Sequence, residues 1–425
     1  MIPSSIKVLG QPLTNSPTIK FTGDNYVSEF KVLFVGDISF GENYQAKYEE
    51  KGFNVLKKYG YDHIFQNLKN LLIESDLVIA NLEAPLIDKT KTPPPTFSAS
   101  FAKRYVKKKG FWLHWNDVNK APEYLKKYNI RTVSLANNHV LDFGLNGFRQ
   151  TLEALPQSGI NFFGAGYNNK EASKPYVKEI FFGKRILKLV IISAFEYRRD
   201  YDNVFSFYAS NNSGGVNRLS IRKIGRKIRQ FKEANEDVYI VVYPHWGGTR
   251  SYGTQTNKQM GLGHNLIDAG ADLVIGHGPH SMQQIEKYKG RWIIYSMGNF
   301  IFNSRGQYRK FNAPPFGLAA QLVFQVKEHH GAGYEVNNNN NNLSTSKIKK
   351  TLRIYPVLVD NRVTNYQGRF LDKNELKLFH SLIIKRKIGM EPIEKDIKTG
   401  FDKKGGFIQF SLDNLLPSEF VLKAQ

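Results

Sequence analysis

Short apolar runs that end in polar, chemistry-bearing residues constrain this chain most. The runs are Val32–Val35, Leu77–Ala80, Thr132–Ala136, Ile160–Phe163, Leu187–Ser193, Val238–Tyr243, Leu273–Ile275 and Trp292–Met297. They are rich in Val, Ile and aromatic residues, and most are followed by Gly, Asp, Asn or His. Continuous apolar runs of this length predict buried strands. Helical patterns lie between several of them, at Phe65–Glu74, Gly147–Leu155 and Ser220–Ala234. The last sets Ile221, Ile224, Ile228 and Phe231 on one face, with Arg222, Lys223, Arg226, Lys227 and Arg229 around the rest. Strands alternating with helices predict a layered α/β fold.

After Phe302 the pattern changes. Leu318–Val326 and Leu352–Leu358 read as two further strands, and Pro356 demotes the second toward an edge. Between them Asn337–Asn342 is a homopolymeric polar run, expected to be a loop. The stretch from Leu371 is Lys-rich and holds a helical pattern at Asn374–Ile383. The expected division is an N-terminal extension 1–30, a main domain 31–360 and a C-terminal extension 361–425. Asp88–Asn119 reads as weakly structured. It interleaves Lys103, Arg104, Lys107, Lys108 and Lys109 with Phe101, Tyr105, Phe111, Trp112 and Trp115. That composition suits a long loop packing its aromatics on the body, with substrate access as a second role.

Cysteine is absent, which excludes disulfides, zinc–thiolate sites, iron–sulfur clusters and thiol catalysis. A metal must then rest on His, Asp, Glu or Asn. No apolar run approaches the ~20 residues of a membrane-spanning helix. The start lacks the basic, apolar and small-residue order of a signal peptide. The sequence thus predicts a soluble, cytoplasmic protein. A formal charge of +23 predicts attraction to polyanions. Signatures of RRM, KH, zinc-finger or helix-turn-helix modules are missing, so no specific nucleic-acid partner is expected.

The chemistry gathers just after the strands. Val32–Val35 leads into Gly36-Asp37, Leu77–Ala80 into Asn81-Leu82-Glu83, and Thr132–Ala136 into Asn137-Asn138-His139 with Asp142 three residues on. Val238–Tyr243 leads into Pro244-His245-Trp246-Gly247, and Leu273–Ile275 into Gly276-His277-Gly278-Pro279-His280. Trp292–Met297 leads into Gly298-Asn299-Phe300. Ligands of α/β sheets bind outside the carboxyl ends of the strands. One sheet, or two stacked sheets, would bring together Asp37, Glu83, Asn138, His139, His245, His277 and His280. Singly, each has an ordinary reading: a turn at Gly36-Asp37, a helix cap at Asn81 or Glu83, a core histidine at His245, a turn at Gly278-Pro279. Together, four of the ten histidines and two carboxylates form a sulfur-free donor set. Such donors suit Mn, Fe, Zn or Mg rather than copper(I).

This ordered series resembles the CapA/PgsA family, named for bacterial poly-γ-glutamate capsule synthesis and similar to the calcineurin-like metallophosphoesterases. The resemblance runs from Lys31 to Phe302, with family-like strands to Leu358. It implies a four-layer α/β/β/α sandwich and a dinuclear metal site. Carried over, Asp37 matches the first-motif aspartate ligand and Glu83 takes the place of the bridging aspartate. Asn138 matches the asparagine ligand, and His139 the adjacent histidine assigned as general acid. His245 matches the fourth-motif ligand, and His277 and His280 the closing pair. Three departures stand out. Ser39 occupies the position of a histidine, and the closing pair is separated by two residues instead of one; both changes admit one divalent ion as well as two. The segment Gly248-Thr249-Arg250-Ser251-Tyr252 lacks the family's acidic residue and offers Arg250 as an anion clamp. Many members also carry an N-terminal membrane anchor, which this sequence does not show.

The expectation is metal-assisted hydrolysis of a phosphoester or a poly-γ-glutamate type substrate. His139 would protonate the leaving group and Asp142 would orient it. Arg250 and Tyr252 would hold the substrate anion. Gly247, Gly248, Gly276 and Gly278 would let the backbone approach closely. The alternative is non-catalytic binding of poly-γ-glutamate or another polyanion in polymer assembly, retention or export, beside other capsule-synthesis proteins.

Overall fold

The computed structural model describes residues 28–93, 113–183, 185–235, 237–248, 251–326, 347–384 and 393–413. They form a mixed α/β fold with two large sheets. The path of the larger sheet runs Ile397–Asp402, Gly405–Ser411, Ile348–Leu358, Phe316–Val326, Glu29–Ser39, Leu77–Leu82, Thr132–Ser134, Asn161–Phe163. Asn299–Phe302 pairs with the end of Glu29–Ser39, and Arg369–Phe370 with Ile348–Leu358. The smaller sheet runs Ile285–Tyr288, Arg291–Ile294, Leu273–Ile275, Val238–His245, Arg185–Phe195, Tyr176–Phe182.

Alternate residues of one strand feed different cores. Val32 and Phe34 join Leu189, Ile191, Val241 and Tyr243 of the smaller sheet in one cluster. Leu33 and Val35 instead join Leu71, Leu72, Leu152 and Leu155 from the helices Lys69–Ile73 and Gly144–Gln157. On the smaller sheet, Val190, Ile192, Ile240 and Val242 pack against Ile224 and Ile228 of helix Ile221–Ala234, and Leu266 and Ile267 of helix Asn257–Asp268. Both faces of the central strands are therefore buried, which is why their sequences are continuous apolar runs. A one-residue slip would exchange the two faces. Polar links also cross between the sheets. Ser134 Oγ lies 2.6 Å from Ser193 Oγ, and the Tyr243 hydroxyl donates to the Val35 carbonyl.

The six strands with chemical tips divide three and three. Glu29–Ser39, Leu77–Leu82 and Thr132–Ser134 are parallel neighbours in the larger sheet. Val238–His245, Leu273–Ile275 and Arg291–Ile294 are parallel neighbours in the smaller one. Helix Ile221–Ala234 forms where the pattern predicts, with the Ser220 side chain capping Lys223 N–H. The expected Phe65–Glu74 helix is instead a 3₁₀ turn, Tyr61–Phe65, and a short helix, Lys69–Ile73. A turn closed from Leu68 N–H to the Phe65 carbonyl lets Ile64, Phe65, Leu68 and Leu71 all reach the core.

Ile348–Leu358 is not an edge strand. It lies between Phe316–Val326 on one side and Gly405–Ser411 and Arg369–Phe370 on the other. Pro356 falls in the gap between those last two partners, where no N–H donor is required. The zone Asp88–Asn119 is also more ordered at its end than expected: Asn116–Asp117 pairs with Leu86–Ile87. The basic cluster at 103–109, the Asn337–Asn342 run and residues 1–27 lie outside the described residues. No described helix is long and apolar enough to cross a membrane.

Candidate metal centre

Asp37 anchors the centre because its strand can approach a neighbour closely. A Cβ on Gly36 would stand 1.9 Å from the Gly298 carbonyl oxygen, so only glycine fits there. Asp37 N–H donates to that same oxygen at 3.0 Å. The Asp37 carboxylate is fully buried. Its Oδ1 accepts from Asn81 Nδ2 at 2.8 Å, and its Oδ2 from Gly278 N–H at 3.3 Å. His277 Nδ1 lies 3.6 Å from Oδ1, and His280 Nδ1 3.5 Å from Oδ2. Burial would raise this carboxyl, but the hydrogen bond and charge of His280, with the charge of His277, hold it below its ordinary value.

His245 and His277 end adjacent parallel strands. His277 N–H donates to the Pro244 carbonyl and Trp246 N–H to the His277 carbonyl, each at 3.0 Å. This register sets their Nδ1 atoms 2.9 Å apart. His245 Nε2 lies 2.6 Å from Asn138 Oδ1. Burial pushes both imidazoles below their ordinary pKa, His277 to about 4, so both are neutral near pH 7. Between them and His280, Gly278 adopts φ 112° and a Cβ there would reach 2.9 Å from His245 Nε2.

Glu83 is delivered by its backbone N–H, which donates to the Ile38 carbonyl at 2.9 Å. Its Oε1 is 3.6 Å from His245 Nε2 and 4.0 Å from His139 Nε2. Its Oε2 is 3.7 Å from His280 Nδ1. Neither oxygen has a hydrogen-bond partner, although the side chain is fully buried. Burial, then the charge of Asp37, pushes its carboxyl well above the ordinary range. His280 sits in the left-handed region at φ 63°, a strained conformation for a side chain of this kind. Its Nδ1 lies 2.9 Å from Asn299 Oδ1, and the Tyr308 hydroxyl donates to its carbonyl at 3.2 Å.

Two donor groups result: Asp37, His245 and His277, and Asp37, Glu83 and His280. Within each, the ligand atoms lie within 4.8 Å of one another. Asp37 belongs to both. Oxygen and imidazole donors suit hard or borderline divalent cations. The Glu83 oxygens, buried without a hydrogen-bond partner, fit such a cation, because buried polar atoms are otherwise hydrogen-bonded.

His139 stands beside this cluster with its Nδ1 2.7 Å from Asp142 Oδ2, which leaves Nε2 on the Glu83 side. Asn137 fixes the turn: its Oδ1 accepts from His139 N–H at 3.0 Å, and its Nδ2 donates to Asn81 Oδ1 at 3.0 Å. Sequence reasoning missed His114. Its N–H donates to Asp142 Oδ2 at 2.8 Å, and its Nε2 lies 2.9 Å from the Tyr44 hydroxyl. Burial, then the charge of His139, pushes its pKa well down. The signal was an imidazole set between Trp112 and Trp115 in a segment read as loop.

Arg250 lies outside the described residues. Tyr252 is buried; its hydroxyl accepts from Gln307 N–H at 3.3 Å, and its ring packs on Tyr308 and Phe311. It reaches His280 through Tyr308. Arg198 is a cation that the sequence reading overlooked. It donates to the Gly247 carbonyl and lies 3.7 Å from Glu196 Oε2. Its charge acts on both Glu83 and His245.

A family model described as "Bacterial capsule synthesis protein PGA_cap" matches residues 31–304, which hold all of these donors. The chain belongs to this family. The Bacillus subtilis "PGA biosynthesis protein CapA" is 30% identical over 68% of this chain and 66% of its own length. The Bacillus anthracis "Capsule biosynthesis protein CapA" is 29% identical over 84% of this chain and 79% of its own. A Mycobacterium tuberculosis "Probable polyglutamine synthesis accessory protein" is 29% identical over 41% of this chain and 45% of its own. This PGA_cap chain thus spans about two thirds of the Bacillus subtilis relative. A solved structure, "GAP50 the anchor in the inner membrane complex of Plasmodium", aligns with 86% of this chain and 99% of its own at 11% identity. Its TM-score of 0.30 is too low to support inference.

Proposed function

We propose that this chain is a metal-dependent hydrolase of capsule or polyanion metabolism, acting on a poly-γ-glutamate type polymer or a phosphoester. The observation that carries the reading is the sharing of Asp37 between two donor groups, beside a buried Glu83 carboxylate with no hydrogen-bond partner. The names of the Bacillus relatives support the capsule polymer as substrate class. The three apolar clusters support a four-layer α/β/β/α sandwich of the metallophosphoesterase type, with helices outside both sheets.

One or two divalent cations held by Asp37, Glu83, Asn138, His245, His277 and His280 would lower the pKa of a water molecule and polarise the oxygen under attack. His139 gives its Nε2 proton to the leaving nitrogen or oxygen as the bond to carbonyl carbon or phosphorus breaks. Asp142 holds the ring through Nδ1–H and favours the imidazolium that precedes transfer. Arg198, beside the Gly247 turn, holds the anionic group of the substrate. Residues 361–425 act as an extension whose strands Ile397–Asp402 and Gly405–Ser411 lengthen the larger sheet.

The test is incubation of manganese-loaded protein with poly-γ-glutamate and with a simple phosphoester, following chain length and phosphate release. Turnover that disappears in His139→Ala and Asp37→Ala supports the reading. A metal-loaded protein that turns over neither substrate contradicts it. The charge of +23 favours a second reading, in which the polymer is bound but not cut. It predicts salt-sensitive binding without shortening.

A further inference from the structure

Away from the centre, a cavity of about 270 Å³ is lined by Phe53, Arg305, Asn361, Arg362 and Tyr366. Both arginines are exposed, and the charges of both act on the Tyr48 hydroxyl. Two guanidinium groups therefore face one small space. Among the described residues, neither is ion-paired to a carboxylate. Arg305 lies over the Tyr48 ring, 4.6 Å from its centroid. The neighbouring carboxylate, Asp360, is buried and accepts from Arg362 N–H at 3.0 Å, so it caps the turn. The Tyr366 hydroxyl in the cavity wall is buried, and the side chains of Arg305 and Gln45 act on it.

One strand links the cavity to the metal centre. Asn361 Nδ2 donates to the carbonyls of Phe302 and Ser304, each at 2.6 Å, which fixes the segment that carries Arg305. Phe302 ends the strand that begins with Asn299, and its ring centroid lies 5.1 Å from that of His280.

We infer that this cavity is a second anion site, taking a single carboxylate or phosphate group between Arg305 and Arg362. The planar donor fork of arginine matches both oxyanions. The volume lies just under the ~300–1,000 Å³ of sites for larger organic ligands, which suits one small anionic group. Under the proposed function, which this extension rests on, that group is a carboxylate of the polymer, held apart from the unit at the centre.

The experiment is calorimetric titration of the full chain at low salt with inorganic phosphate and, separately, with a short γ-glutamyl oligomer. Wild type, Arg305→Gln/Arg362→Gln and Asp37→Ala are compared. The double glutamine variant is expected to bind at least one probe about ten-fold more weakly, since charge-assisted hydrogen bonds are removed. Arg305→Lys/Arg362→Lys should fall between it and wild type. Loss for the oligomer alone identifies the polymer as the source, and loss for phosphate identifies free phosphate. Phosphate binding that persists in Asp37→Ala separates the cavity from the centre, whether or not the protein is a hydrolase. Unchanged binding of both probes in the double variant, or no binding of either by wild type, overturns the inference.

Discussion

The imidazoles of His114 and His139 lie face to face, with centroids 3.6 Å apart and planes 13° apart. One oxygen, Asp142 Oδ2, accepts from the backbone of the first and lies 2.7 Å from the ring Nδ1 of the second. The proposed acid is therefore held on three sides, by stacking, by a carboxylate and by the Asn137 turn. Asp142→Asn keeps the shape but loses the negative charge that favours the imidazolium. We predict that it lowers turnover by about 10²-fold and shifts the basic limb of the rate profile to lower pH. A pH–rate comparison of the two proteins checks this.

His114→Phe should preserve the stack while losing the contact with the Tyr44 hydroxyl. It is expected to retain metal and most of the turnover. His114→Ala should retain metal but lose turnover, because His139 is then free to leave the Glu83 side. Metal analysis beside kinetics separates the two variants.

Asp37 appears in both donor groups, whereas His277 and Glu83 appear in one each. Asp37→Asn is expected to abolish all tight metal binding. His277→Ala and Glu83→Gln should each weaken binding at one group only. Competition with a metallochromic chelator would show the difference as a loss of every site against a loss of one.

The metal-free protein should respond to pH in a specific sense. His277 is held at about 4 by burial, against 6.5 for an ordinary imidazole. Between these values the unfolded chain binds the proton and the folded one does not. Its stability contribution is thus full above the unfolded value and is lost as pH falls toward the folded one, by up to about 3 kcal/mol. His245 and His114 shift the same way. Glu83 acts oppositely: its raised carboxyl lowers stability as pH rises past the ordinary 4.5. Denaturant unfolding of metal-free wild type and Glu83→Gln, at about pH 7 and about pH 5, tests both signs. Glu83→Gln should be the more stable at the higher pH, and both should weaken at the lower.

Gly36→Ala places a methyl against the Gly298 carbonyl, at the join that positions Asp37. It is expected to destabilise by about 3 kcal/mol, since the obstruction is backbone and cannot rotate away. Thermal unfolding, together with lost metal, is the readout.

The tips of the strands were legible because the signal is local. A fully buried strand such as Leu77–Leu82 is a continuous apolar run, and the next residue, Glu83, marks where chemistry begins. Which sheet holds each tip was not legible, since pairing such as Val241 with Leu273 joins residues distant in sequence. Tyr176–Phe182 was missed because its exposed edge position leaves only two of its residues buried. Arg198 was missed for a related reason. The apolar run ends at Ser193, while the strand continues to Phe195 and carries the chain toward Glu196 and Arg198. His114 reaches the centre through the pairing of Asn116–Asp117 with Leu86–Ile87, which no local pattern announces. The resemblance gives the bridging place to Glu83, which lies 3.6 Å from His245 and 3.7 Å from His280; Asp37 is the residue that belongs to both candidate donor groups.

A divalent metal held by the buried cluster around Asp37 underlies every step of the proposed chemistry. Elemental analysis of protein purified without chelator and without a histidine tag measures it directly. The expected result is about one or two equivalents of Mn, Fe, Zn or Mg per chain, lost in Asp37→Asn. A folded wild-type protein that stays metal-free after incubation with manganese or zinc would contradict it.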